Sequence, residues 1–328
     1  MEQEIMAIYK FYNVQLLPID KSVSEVGVDG YCRLFEGVKS LILECKEKKR
    51  KLSSIATKMR GEMFFAPFSV TLYEYDKTNK KRIIYGSFLK FDDVNVLVDT
   101  NSGETEYRSK GNTSSKRYDL EFFFDPQTHT LAIHDTKGLP ARTPLIQALN
   151  EILGTHAIHL FKKHSLEIEE LTSADSITEF FELPKKGYKK YDGIVTFSNS
   201  DAFDEIMEGE LKLREQELKD KHVSKWETSY KSFNNSVMSD LPDQAKVQMA
   251  LATKYGNAEV SYLDENGNRQ KYQMENYPVR EQLTLKEYKG VKGKALAVLN
   301  LIKRAMEKTK LVPNTIKNNK KFLDEIGD

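Results

Sequence analysis

The pattern of hydrophobic and polar positions predicts a chain of mixed strands and helices. Residues 5–17 (IMAIYKFYNVQLL) are mostly β-branched and aromatic and stop at Pro18, which predicts a strand. The next apolar stripe recurs at steps of three and four, which predicts a helix over about 29–58 whose second half is strongly basic. A meander of three strands is then predicted over 67–75, 83–91 and 94–98.

Residues 118–200 predict an α/β segment with the order hairpin, helix, strand, helix, strand. Thr143 and Pro144 suit the N-cap and first turn of a helix, and Gly154 is the expected stop. A strand near 156–169 follows, then a short helix and a strand at 192–198. This order resembles a permuted ferredoxin-like module, which is a statement about shape and carries no function.

Apolar positions that step mainly by four predict a long helix from Asp201 to Phe233. Two interpretations of its narrow apolar stripe stay open: a bridge or packing arm for a second subunit, or an ordinary scaffold helix within one chain. A second helix over 241–255 leads to a hairpin around the Asn266–Gly267 turn, and a last helix ends before Pro313.

These elements predict an α+β fold of small antiparallel or mixed sheets with covering helices, a ferredoxin-like central module and a long helix in the C-terminal half. We predict a β-rich N-terminal domain with one long helix over 1–117 and the ferredoxin-like module over 118–200. The third part, 201–328, is predicted to be helical with one hairpin, with the option that it packs against the N-terminal domain.

Composition changes this picture in three respects. The 328 residues hold 50 lysines and arginines against 49 aspartates and glutamates, so any basic surface must be local. No apolar run approaches 18 residues, and the acidic start MEQEI lacks the layout of a signal peptide, so we expect a cytoplasmic protein with no membrane partner. Two cysteines exclude a disulfide framework.

The chain carries none of the common local signatures of catalysis, and we predict no catalytic residue, no metal site and no cofactor. One fragment of the chain resembles the site of a metal-dependent nuclease. In this fragment, Asp192 is followed by Glu210 and Lys212 in a Glu-x-Lys arrangement. On the predicted long helix the last two side chains would diverge, so a charged helix surface is the favoured interpretation.

Basic patches are the remaining chemical signal. Lys289, Lys292 and Lys294 surround two glycines and lead into the last helix, an arrangement suited to phosphate because the helix start offers unpaired N–H groups. Ala295 stands where a Walker A loop would have its metal-binding hydroxyl group, so that motif is excluded. A solvated helix start is the competing interpretation.

Two further patches combine cations with tyrosines. Lysine and arginine neutralise phosphates, and tyrosine can stack on exposed bases. The predicted nucleic-acid-binding residues of the first patch, beside Tyr107 and Tyr118, are Arg108, Lys110, Lys116 and Arg117. Those of the second, between Lys185 and Tyr191 and beside Tyr188, are Lys186, Lys189 and Lys190. Each patch alone is also compatible with a solvated surface.

Residues 118–308 resemble the RexA family of phage-exclusion proteins and related bacterial defence proteins. The shared layout is a hairpin, a short helix such as PLIQALNEILG, a strand-helix-strand stretch, and a charged hairpin, YLDENGNRQKYQMENYP, before a terminal helix. The lysine-glycine loop at 289–294 has no counterpart in that resemblance. The resemblance implies a two-domain, dimeric protein that binds DNA without strong sequence preference and acts in antiviral defence.

The sequence therefore predicts a non-enzymatic, sequence-nonspecific DNA-binding protein of a bacterial antiviral defence or regulatory system that forms a homodimer. Two alternatives stay open: a metal-dependent nuclease, and a protein-interaction subunit of a defence complex that binds its partner through the helix at 201–233. Basic patches that converge on one face would favour DNA, whereas scattered patches and an exposed apolar helix face would favour a protein partner.

Overall fold

The computed structural model describes residues 6–19, 23–93, 96–98, 102, 104–108, 114–196, 217, 218, 220, 221, 223, 225–284 and 288–311. Helices and antiparallel sheets occur together, which confirms the α+β class. The chain divides into two compact units, each made of three segments. The first unit holds Met1–Tyr9, Val26–Lys162 and Leu283–Leu299, and the second holds Lys10–Glu25, Lys163–Gln282 and Asn300–Asp328. The predicted division into 1–117, 118–200 and 201–328 stays a prediction.

The first unit is built on an antiparallel sheet. Strand β1 (Met6–Pro18) begins in this unit and continues into the second. The other strands are β2 (Thr57–Lys58), β3 (Met63–Asp76), β4 (Lys81–Asp92), β5 (Val96–Val98), β6 (Thr105–Arg108), β7 (Arg117–Asp125) and β8 (Thr130–His134). The order β8-β7-β4-β3-β2 forms one sheet, and β5 pairs with β6 in a separate ribbon. Gly86 permits the close approach of β3, because a Cβ there would lie 1.9 Å from the Ser69 carbonyl oxygen.

Among the described residues, two helices belong wholly to the first unit. They are α1 (Gly27–Glu47) and α2 (Arg142–Leu160), and a 3₁₀ turn over Leu52–Ile55 follows α1. Helix α1 packs on the sheet through Phe35, whose ring centroid lies 4.7 Å from that of Phe124. Burial of this aromatic face supplies most of the driving force for holding the helix on the sheet.

The second unit contains a four-stranded antiparallel sheet in the order β11-β10-β12-β13. The strands of the second unit are β9 (His164–Glu170), β10 (Lys185–Thr196), β11 (Lys225–Lys231), β12 (Gly256–Asp264) and β13 (Arg269–Gln273). The described helices of this unit are α3 (Asp175–Glu182) and α4 (Asp243–Tyr255). Strand β9 pairs with β1 instead of joining this sheet. Strand β14 (Arg280–Thr284) and helix α5 (Gly290–Lys308) have residues in both units.

The core of the second unit centres on Phe180 of α3. Its ring stacks on Tyr272 with 4.3 Å between centroids and meets Tyr262 edge-on at 5.4 Å. The Tyr272 hydroxyl group is satisfied by the Ser176 hydroxyl group at 2.9 Å. No helix within the described ranges is long and apolar enough to cross a membrane.

Three predicted elements differ from those observed. Helix α1 ends at Glu47 rather than near residue 58, because Lys49 has a positive φ and the following residues form a 3₁₀ turn. Helix α2 runs through Gly154 to Leu160, because Leu153 and Ala157 continue its buried face. The segment at 94–98 does not extend the meander, since β5 pairs with β6 and the free side of β4 is taken by β7.

The predicted long helix is wrong over its last part, because residues 225–231 form strand β11. Burial alternates strictly along this strand, with Trp226, Thr228 and Tyr230 half-buried between exposed neighbours. Residues 201–216 of the predicted helix lie outside the described residues. The ferredoxin-like module is also wrong as a single sheet, because β9 pairs with β1 whereas β10 pairs with β11 and β12.

Candidate nucleic-acid-binding surfaces

The predicted lysine loop lies at the start of α5, in the first unit. The helix begins at Gly290, whose φ of 66° suits glycine. Lys289 and Lys292 are exposed, and the Lys292 ammonium group lies 4.9 Å from the centre of the Tyr73 ring. The ammonium group of Lys294, in contrast, is ion-paired with the Glu121 carboxylate. The loop therefore presents two of its three predicted cations to solvent.

A polar cluster that sequence reasoning missed surrounds the Lys294–Glu121 pair. The hydroxyl group of the buried Tyr9 lies 3.4 Å from the same Glu121 oxygen, and the His134 ring stacks on Tyr9 with 5.4 Å between centroids. Burial lowers the pKa of His134, and the positive charge of Lys294 lowers it further. The available signal was Glu121 itself, a single carboxylate within the otherwise apolar run LEFFF. This cluster holds Lys294, the fifth residue of α5, to Glu121 of β7.

Exchanging Glu121 for glutamine tests whether the pair restrains the lysine loop. The change removes the carboxylate that neutralises Lys294. We therefore expect duplex DNA to bind about threefold more tightly, which corresponds to ~0.7 kcal/mol of binding free energy. The measurement is fluorescence anisotropy at low salt. Glu106→Gln, an exposed glutamate of the same unit, controls for the general loss of one negative charge. Equal affinities for the two variants would show that the Lys294–Glu121 pair has no influence on binding.

Asp92, at the end of β4, fixes the position of the segment that carries Lys116 and Arg117. Its Oδ1 accepts hydrogen bonds from the Ser114 hydroxyl group at 2.6 Å and from the backbone N–H groups of Ser115 at 2.7 Å and Lys116 at 2.9 Å. Burial alone would raise the pKa of Asp92, but these bonds outweigh it and hold the pKa at about 2. Asp92 is therefore a positioning residue for the predicted cations.

Asp92→Asn should destabilise the protein by about 2 kcal/mol at neutral pH, because the charged acceptor of several hydrogen bonds is lost. The folded-state pKa lies below the ordinary value of about 3.9, so this contribution is complete above pH 4 and is lost as the pH falls towards 2. Urea unfolding of the wild type and of Asp92→Asn between pH 6 and pH 2 measures the difference in their free energies of unfolding. A stability difference that stays constant over that range would contradict the assignment.

Arg117 meets the basic end of α1 on one aromatic ring. The Arg117 guanidinium group lies 5.3 Å from the centre of the Phe68 ring, and the Lys46 ammonium group lies 5.4 Å from the same centre. Such contacts hold cations at a surface without neutralising them. We define the Phe68 surface as Phe68, the two cations over its ring, Lys46 and Arg117, and the five cations next to them in the sequence: Lys48, Lys49, Arg50, Lys51 and Lys116.

Some of these cations have acidic partners and others do not. Lys48 and Arg50 lie 2.5 and 3.8 Å from Glu44, Lys51 lies 3.8 Å from Asp93, and Arg117 lies 2.8 Å from Asp119. All of these pairs are at least partly exposed, where ion pairs exchange readily with other anions. Among the residues that the structure describes, Lys46, Lys49 and Lys116 have no carboxylate within 4 Å. These three lysines are the available charges of the Phe68 surface.

Arg108 and the two tyrosines of the first predicted patch lie on β6 and β7. Arg108 and Tyr107 are exposed on β6, opposite Val96 and Leu97 of the separate ribbon. Tyr118 is half-buried beneath the Lys90 ammonium group, 5.7 Å from its ring centre. Lys110 lies outside the described residues. Among the described residues of this patch, Arg117, with its sequence neighbour Lys116, therefore meets the basic end of α1 at Phe68.

The second predicted patch lies on β10, in the second unit, and its tyrosines are not available for stacking. Tyr188 is 6% exposed and Tyr191 is fully buried, with its hydroxyl group donating to Gln248 at 2.8 Å. That interpretation of the two tyrosines was wrong. Lys186 is exposed, whereas Lys190 is ion-paired with Asp192 at 2.5 Å.

Two lysines of this patch hold the backbone instead of facing solvent. Lys189 donates hydrogen bonds to the carbonyl groups of Asn234, at 3.3 Å, and Ser236. Lys185 donates to the carbonyl groups of Phe180 and Leu183 at the end of α3, and burial lowers its pKa to about 8. The position of Lys185 suits a cation that caps the C-terminus of a helix.

The described residues give no support to the nuclease alternative. Within those ranges, no group of three or more histidine, cysteine, aspartate or glutamate side chains could hold a metal ion. Asp192 accepts a hydrogen bond from the Ser229 hydroxyl group at 2.8 Å, next to its ion pair with Lys190. Glu210 and Lys212 lie outside the described residues.

Comparison with known proteins places most of the chain in one family. Residues 10–303 match the family described as Domain of unknown function (DUF4747). The chain belongs to this family. The match includes the Phe68 surface and the whole four-stranded sheet of the second unit. No curated protein matches the chain. The description of the family states no activity.

Proposed function

We propose that this protein binds DNA without strong sequence preference through the Phe68 surface. The supporting observation is the meeting of the α1 end and the β7 start, where Lys46 and Arg117 share the Phe68 ring. Their sequence neighbours Lys49 and Lys116 have no carboxylate within 4 Å in the part of the chain that the structure describes. Cations brought together from distant parts of the chain suit a backbone of regularly spaced phosphates, whose neutralisation releases bound counterions. The chain's near-neutral total charge makes such a local surface the natural place for a polyanion.

Low specificity follows from the kind of groups present. Lysine ammonium groups on a helix end and a pinned loop contact phosphate oxygens, which carry no sequence information. We find no described helix that combines this basic surface with a row of base-reading side chains, since the cations come from the end of α1 and from the 116–117 segment. We further propose that the protein is a cytoplasmic homodimer that acts in bacterial antiviral defence or in regulation, on the strength of the RexA-family resemblance.

A titration of a short labelled duplex at several salt concentrations tests the proposal. The logarithm of the binding constant should fall linearly with the logarithm of the salt concentration, with a slope of about −0.9 for each phosphate contacted. Absence of binding at low salt would remove the proposal and would direct attention to a protein partner.

The lysine loop is a second, weaker candidate for phosphate contact. We expect the combined exchange Lys289→Ala, Lys292→Ala and Lys294→Ala to weaken binding to unrelated duplexes and to flatten the salt dependence. The slope should change by roughly 1.8, because two of these lysines face solvent and the third is held by Glu121. Unchanged affinity and unchanged slope would exclude the loop from the interface.

A further inference from the structure

The most exposed large apolar side chain in the described chain is Phe233, at 89% exposure. It lies in the turn that leaves β11 and leads towards α4. Leaving a phenylalanine ring in water forgoes the stabilisation of about 2 kcal/mol that burial would give. The ring is therefore available to a ligand with a flat apolar face.

The turn that carries Phe233 is held in place by hydrogen bonds on both sides. The backbone N–H of Ser236 donates to the Phe233 carbonyl group at 3.1 Å, and the Ser232 hydroxyl group donates to the Ser236 carbonyl group at 3.0 Å. The backbone N–H of Ser232 donates to the Lys189 carbonyl group at 3.0 Å, and the Lys189 side chain returns to the carbonyl groups of Asn234 and Ser236. A preorganised turn loses little conformational entropy when a ligand binds to it.

Cations lie beside this turn on the neighbouring strands. Lys190 of β10 and Lys231 of β11 are directly opposite each other in the antiparallel register. Like charges opposite each other destabilise a sheet, and only Lys190 is balanced by an ion pair, with Asp192. Lys231 is exposed and has no carboxylate within 4 Å among the described residues. A bound anion near these two lysines would relieve the repulsion.

We propose that this turn binds single-stranded nucleic acid, with the Phe233 ring stacked on an unpaired base and the lysine pair at 190 and 231 facing the phosphates. Aromatic stacking on successive bases and a cationic track for the backbone are the two components of such sites. The bases of a duplex are already stacked on each other and offer no face to the ring. The site thus differs from the Phe68 surface in its ligand and stands independently of it.

The test is an anisotropy titration of the full chain with labelled oligothymidine and, in parallel, with a duplex. Phe233→Ala should weaken oligothymidine binding about tenfold, which is typical for the loss of one stacked base. Phe233→Tyr should bind as the wild type does, because its ring can still stack. Lys231→Gln should lower the magnitude of the salt slope by about 0.7, as for one phosphate of a single strand. Duplex affinity should not change in Phe233→Ala.

Oligothymidine binding by Phe233→Ala at wild-type affinity would overturn this site. If the same variant also lost binding to vesicles containing phosphatidylserine, the ring would be assigned to a lipid surface. Phe233-sensitive oligothymidine binding without any duplex binding would support this site and refute only the function proposed for the Phe68 surface.

Discussion

The combined exchange Lys46→Gln, Lys49→Gln and Lys116→Gln should lower affinity for duplex DNA at least tenfold at low salt. These lysines are the cations of the Phe68 surface without carboxylate partners among the described residues, so their charges are the ones available to phosphate. The slope of log affinity against log salt should fall in magnitude by roughly 2.7, as expected for three lost contacts. Anisotropy titrations of the variant and the wild type at several salt concentrations measure both quantities.

A matched control separates a local surface from total charge. Lys77→Gln, Lys137→Gln and Lys162→Gln remove the same number of charges from exposed positions of the same unit. We expect this control to change affinity by less than about twofold, since screening over about 10 Å weakens distant charges at ordinary salt. Equal losses in the two triple variants would mean that the Phe68 surface is not the binding site.

Phe180→Ala should destabilise the protein by about 3–5 kcal/mol, the usual cost of removing a buried phenylalanine. Phe180 is 2% exposed, stacks on Tyr272, and lies 4.5 Å from the Lys185 ammonium group. The exchange leaves a cavity in the core and takes away one of the groups that hold Lys185. Urea unfolding followed by circular dichroism measures the change in the free energy of unfolding.

Phe233→Ala is the matched control for this second prediction, because it removes the same atoms from an exposed position of the same unit. Its free energy of unfolding should stay within about 0.5 kcal/mol of the wild-type value. Similar losses of stability in the two variants would contradict the assignment of Phe180 to the core and of Phe233 to the surface.

The elements that could be predicted from sequence are those whose periodicity and turn chemistry agree. Strand β1 and the β12–β13 hairpin are examples, since Pro18 stops the first and Gly267, with a φ of 85°, turns the second. The segment of strand β11 was wrongly predicted as part of a helix because Trp226 and Tyr230 are four residues apart. A step of four is about one turn of a helix and also two full repeats of a strand, so this spacing alone does not distinguish the two.

Contacts between distant segments could not be predicted from local patterns. Lys46 and Arg117 meet at Phe68 because β3 pairs with β4 and β4 pairs with β7, and no local pattern identifies those partners. The buried tyrosines of β10 have a similar cause. The register shifts between Tyr188 and Lys190, and this irregularity lets Tyr188 and Tyr191 both face the core although they are three residues apart.

The most direct test of nonspecific DNA binding compares the wild-type protein on two duplexes of equal length and unrelated sequence across a range of salt concentrations. We expect nearly equal affinities and equal linear slopes of log affinity against log salt, because phosphates supply the contacts. A strong preference for one duplex, or affinity that does not depend on salt, would contradict it.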